Sequence, residues 1–101
     1  DIAIGKAWGA LGMGIPSRLI RDRLQDRPVF QSALAVVSVG RFVPVPGGVL
    51  INDENDETIG AVGVSGDTSD KDEYCAIEAI LLSNYAPNPA LPSQTWCNSK
   101  L

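Results

Sequence analysis

The stretch Gly60-Ala61-Val62-Gly63-Val64-Ser65-Gly66-Asp67-Thr68-Ser69-Asp70-Lys71-Asp72 runs from a strand, through a glycine-bearing corner, into a helix. Its first half, preceded by Thr58 and Ile59, carries the β-branched and small apolar residues of a strand over Thr58 to Val64. At Ser69 the character changes. Ser69 is read as the helix N-cap, and Asp70, Asp72 and Glu73 crowd the first turn, where carboxylates oppose the helix dipole favourably. Tyr74, Ile77, Ile80 and Leu81 supply a buried stripe, and Asn84 and Pro87 stop the helix.

Upstream, Val49-Leu50-Ile51 reads as a short buried strand, joined to Thr58–Val64 through the acidic turn Asn52 to Glu57 as a hairpin. Arg41 to Val45 reads as extended, and Pro44 and Pro46 confine it to a sheet edge or a loop. Three helices precede it. Ile2 to Leu11 has Ile4, Trp8 and Leu11 at helical spacing, with Gly5 and Gly9 four apart on a second face, where another element can approach closely. Gly12 and Gly14 end that helix. Pro16 and Ser17 open a second, with Leu19, Ile20 and Leu24 as its apolar face. Asp26 is read as the cap of a third, carrying Phe30, Leu34 and Val37. The predicted fold is α+β, an antiparallel β-sheet flanked by helices, with one domain over 1–86 and an irregular tail over 87–101.

Composition narrows the function. A chain of 101 residues, 45% hydrophobic and 20% charged, has the makeup of a single globular domain. Its net charge of −4 argues against nucleic acid and anionic membrane as partners. No apolar run is long enough for a membrane span, and no signal peptide stands at Asp1, so a cytoplasmic location is expected. There is no histidine. A Ser-His-Asp or Cys-His nucleophile system therefore cannot be built from this chain. Two cysteines, Cys75 and Cys97, are too few for a structural zinc site; they stand either as two thiols or as a disulfide.

The corner after the strand is the most site-like feature. Gly60, Gly63 and Gly66 remove side chains where a ligand or another backbone could come close. The amides opening the Ser69 helix would face a carboxylate or phosphate, with Ser65, Thr68 and Ser69 offering hydroxyls. The glycines fit neither a dinucleotide nor a Walker pattern, and Gly63-Val64-Ser65-Gly66-Asp67 is not a nucleophile elbow. A capped corner with no ligand is the alternative.

The ordered set Lys6-Ala7-Trp8-Gly9-Ala10, Gly14-Ile15-Pro16-Ser17, Pro28-Val29-Phe30, Gly40-Arg41-Phe42-Val43-Pro44-Val45-Pro46-Gly47-Gly48-Val49 and Ile59 to Gly66, with Thr68-Ser69 and Asp72-Glu73, resembles the GlcG/HbpS-like family. That domain also occurs at the C-terminus of PduO-type proteins. The resemblance covers roughly Asp1 to Leu82. It implies helices in layers around an antiparallel sheet, assembly into dimers or larger homo-oligomers, and haem as a possible cofactor. The family's usual N-terminal helix and hairpin are absent ahead of Asp1. The sheet is therefore expected to have about three strands, and either the chain is partial or association completes the sheet.

With no histidine, a haem iron would need Thr68, Tyr74, Cys75, Met13 or an external ligand. Thr68 is the candidate metal ligand that the family pattern indicates, with a plain capping hydroxyl as the alternative. Arg41 could neutralise a propionate or another acid, or pair on the surface. The ligand-binding set read from the sequence is Arg41, Gly63, Ser65, Gly66, Thr68 and Ser69. The favoured function is a small-ligand or haem-binding accessory module without catalytic machinery. The alternatives are an oligomeric assembly domain, and an enzyme acting on a tetrapyrrole or small acid through Ser65, Thr68 and Asp72.

Overall fold

A computed structural model describes all residues, 1–101. The elements follow as α1 (Ile2–Met13), α2 (Ser17–Leu24), α3 (Pro28–Val37), β1 (Gly48–Asn52), β2 (Thr58–Gly63), α4 (Ser69–Leu82) and β3 (Ala86–Asn88), with a short 3₁₀ turn at Trp96–Asn98. The sheet is antiparallel throughout, in the order β2-β1-β3. This is the α+β architecture that the strand and helix periodicities predict.

β1 is the hub. It pairs Gly48 with Gly63 and Val49 with Val62 along β2, and Leu50 with Asn88 and Ile51 with Pro87 along β3. Because side chains alternate along a strand, Val49 and Ile51 face one way, with Val62 and Val64 beside them. They close over Ala76, Ile77 and Ile80 of α4. The opposite face belongs to α1. Gly48 and Gly63, partners across the ladder, lie beneath its backbone: a Cβ on Gly48 would collide with the Lys6 carbonyl, and one on Gly63 with the Ala3 carbonyl. A second apolar cluster, Ile20, Leu24 and Phe42 with Ile15 and Leu34 against it, joins α2, α3 and the loop before β1. Ser17, fully buried, ties α2 to β1 by accepting the Gly48 N–H at 2.8 Å.

Five sequence expectations change. α1 does not bury Ile4, Trp8 and Leu11, which are exposed; it buries Gly5, Lys6, Gly9 and Ala10. The glycine face wins because it lets the helix lie directly on backbone, with Gly5 against Arg41 and Val43 and Gly9 against Phe42. The cap of α4 is Thr68, one residue before Ser69, and its hydroxyl accepts from the Lys71 N–H. On α4 it is Ala76, Ile77 and Ile80 that are buried, while Leu81 is exposed and Tyr74 half-buried. The third strand is not Arg41 to Val45, which runs as a loop. It is Ala86–Asn88, so the segment expected to be irregular contributes Pro87 and Asn88 to the sheet. Pro87 has no N–H to give, a role that only an edge strand tolerates. At the head of α3 the cap position is Arg27, with Pro28 following, and not Asp26.

Candidate functional site

Three arrangements carry polar or ligand-accessible chemistry. The first is buried. Lys6, only 2% exposed, reaches round the end of the hairpin to donate to the Val64 carbonyl at 2.8 Å and to Asp72 Oδ2 at 3.1 Å. The other Asp72 oxygen accepts the Asp67 N–H at 2.9 Å. Gly47 stands beside the lysine with φ 126°, where a Cβ would meet Lys6 Nζ at 2.8 Å. The pair thus fastens α1, the end of β2 and α4 together. A buried ion pair is stable only when its remaining hydrogen-bonding capacity is also met. Here a carbonyl and an amide meet it.

Next to it in sequence, Glu73 is also fully buried. Arg18 Nε lies 3.2 Å from its Oε2, yet neither carboxylate oxygen receives a well-directed hydrogen bond. Burial therefore raises the Glu73 pKa above the ordinary 4.5; Arg18 opposes that shift and Asp70 adds to it. Arg18 of α2 is turned towards this carboxylate, and its other end donates to the Leu91 carbonyl at 3.1 Å.

The corner singled out in the sequence is closed upon itself. Thr68 N–H is taken by the Asp67 side chain, Asp67 N–H by Asp72, and Lys71 N–H by the Thr68 hydroxyl. That hydroxyl also shares a short hydrogen bond with Ser99 of the tail. Trp96 stacks on Tyr74 at 3.7 Å between ring centroids and 6° from parallel, so the tail lies over the start of α4. Ser65 and Gly66 are exposed, Ser69 is half-buried, and Gly63 is filled by the α1 backbone. None of the five principal cavities is lined by residues 63–69.

A small, strongly apolar cavity lies elsewhere, between α1 and α3. It holds about 220 Å³ and is walled by Trp8, Met13, Leu34, Val37 and Phe42 over a floor of Gly9 and Gly12. Arg41, exposed and in no ion pair, holds its guanidinium 5.9 Å from the centroid of the Trp8 ring that walls this groove, and itself lines a neighbouring cavity with Asp1, Ile4 and Gly5. Of the sequence-derived set, only Arg41 lines one of the principal cavities, and that cavity is not the apolar groove. The groove residues were readable as apolar helix positions. The sign that they bound a hollow was the pair Gly9 and Gly12, which put no side chain into the space between Trp8 and Met13.

Cys75 and Cys97 are both exposed free thiols. No cluster of three His, Cys, Asp or Glu side chains is arranged to hold a metal ion, and no helix is long and apolar enough to cross a membrane. Residues 1–81 match the model of the family described as haem degrading protein HbpS-like. No curated protein and no solved structure matches the chain significantly.

Proposed function

The chain belongs to the HbpS-like family, and from that premise we propose that it is a non-catalytic binding module for a planar, apolar carboxylate of haem-like chemistry. We place the ligand in the α1–α3 groove and not at the Thr68 corner. The observation that carries this reading is the groove itself, with two aromatic rings, two aliphatic side chains and a thioether facing one hollow, and an unpaired arginine 5.9 Å from one of those rings.

The residues present fit such a group in kind. Apolar and aromatic walls would suit a macrocycle face, the Met13 thioether would be the group to hold the iron, and Arg41 would suit a propionate. In size, about 220 Å³ is below the roughly 300–1,000 Å³ usual for enclosed ligand pockets. The groove would therefore grip one edge of a tetrapyrrole, leaving the rest against exposed Val37. Haem, when bound, would supply a redox-active iron. The protein's part is to bind and orient, because no acid–base pair faces the groove.

Hemin titration followed at the Soret band tests the proposal. Trp8→Ala and Arg41→Ala should each weaken binding about tenfold, the equivalent of about 1.4 kcal/mol. Met13→Ala should move the band position, and Thr68→Ala should leave the titration unchanged. Loss of binding in Thr68→Ala with the groove variants unaffected would return the site to the corner and overturn this assignment.

A further inference from the structure

From Pro89 to Ser99 the chain crosses the body without joining its backbone. No backbone–backbone hydrogen bond links this segment to the rest of the molecule; those it makes, such as Trp96 to Ser93 and Ser99 to Trp96, are local turns. Side chains hold it instead. Arg18 Nη2 donates to the Leu91 carbonyl at 3.1 Å, Trp96 stacks on Tyr74, and Ser99 shares a hydrogen bond with the Thr68 hydroxyl. A segment attached in this way can lift while the sheet and the helices stay intact.

Against its inner side lies Glu73. The side chain is fully buried, and neither carboxylate oxygen receives a directed hydrogen bond. Its nearest cation, Arg18 at 3.2 Å, is the same residue that anchors Leu91. The Ser93 backbone approaches it from the segment above, short of a directed bond. Such a setting is tolerable for the neutral acid and costly for the carboxylate. Burial holds the proton on above the ordinary 4.5; among the charges, Arg18 and Arg21 of α2 favour ionisation and Asp70 of α4 opposes it. β3 and the segment Pro89–Ser99 bring no charge, and their one titratable group, the Cys97 thiol, is exposed.

We propose that Pro89–Ser99 is a strap, seated while Glu73 holds its proton and released when the carboxylate ionises. The sign follows from which state can solvate the charge. With the strap seated, ionised Glu73 has Arg18 alone. With the strap lifted, water reaches both oxygens, and Arg18, freed from the Leu91 carbonyl, can turn wholly to the carboxylate. Release also uncovers the Thr68 hydroxyl and the Tyr74 ring. It loosens one wall of the cavity of about 300 Å³ that Arg18, Leu19 and Asp22 form with Asn88 and Pro89. The strap lies past residue 81, where the family match ends, and does not depend on the ligand reading of the α1–α3 groove.

Acrylamide quenching of Trp96 follows the strap, read in a Trp8→Phe background where it is the sole tryptophan. Quenching should rise as pH is raised from below 4.5 towards neutrality, with far-UV circular dichroism unchanged. Glu73→Gln and Glu73→Met cannot ionise, and either one, added to that background, should hold quenching at its acid level throughout. Quenching independent of pH while Glu73 is present would overturn the proposal, as would a rise that persists in the Glu73 variants. A rise accompanied by loss of circular dichroism at the same pH would overturn it too, because the whole chain and not the strap would then be opening.

Discussion

Gly63 leaves vacant the space that the Ala3 carbonyl occupies, and together with Gly48 beneath the Lys6 carbonyl this contact sets how closely α1 lies on the sheet. Gly63→Ala should force helix and hairpin apart and cost about 1–3 kcal/mol, the usual range for overpacking. Gly12→Ala is the control. Nothing stands within 4 Å of its Cβ position, and a helical Gly→Ala change stabilises by about 0.5–1 kcal/mol. Urea midpoints of the two variants should move in opposite directions.

The Lys6–Asp72 pair is asymmetric in what its loss leaves behind. Lys6→Met strands a carboxylate that is 4% exposed, and removing one partner of a buried pair costs about 3–5 kcal/mol. The double variant Lys6→Met/Asp72→Leu leaves no buried charge and should recover much of that loss. A double-mutant cycle from denaturant titrations reads the coupling.

Glu73 gives a pH dependence of definite sign. Its folded pKa lies above 4.5, because burial outweighs the Arg18 attraction. The folded state therefore holds this proton more tightly than the unfolded one. The stability it contributes is full below the unfolded pKa and is lost as pH rises through the folded value. Glu73→Gln should remove this component. Stability of wild type relative to the variant should fall as pH is raised from below 4.5 towards neutrality, and a curve parallel to the variant's would sink the idea.

The far end of the tail is held by Trp96 on Tyr74 and Ser99 on Thr68. Trp96→Ala should cost about 0.5–1.5 kcal/mol beyond the lost area. It should also raise protease sensitivity after residue 90 while leaving hemin titration unchanged, since Trp8 and not Trp96 lines the groove.

The hairpin, the four helices and the family were legible because local signals agree there: the apolar run Val49–Ile51, the acidic turn, Pro16-Ser17 and the acids that open α4. The buried face of α1 was not legible. Its periodicity marks Ile4, Trp8 and Leu11, while the decision is made by Gly48 and Gly63, which lie far along the chain. Lys6 reads as a solvent residue until Asp72, 66 positions away, is seen beside it. β3 hides behind Pro87, whose type argues against a strand in general and is admitted here only at an edge. The Thr68 corner was legible as a structure, but sequence could not show that its own side chains and Ser99 use its hydrogen-bonding groups.

That 66-residue separation also orders events in time. A chain made from its N-terminus extrudes Lys6 well before Asp72, so α1 cannot place its lysine in a dry setting while α4 is still unmade. The hairpin, whose strands are joined by a few residues, needs no such delay. Nascent chains halted before Asp72 should therefore hold a paired β1–β2 ribbon with an undocked, protease-accessible α1, and docking should appear once α4 clears the ribosome.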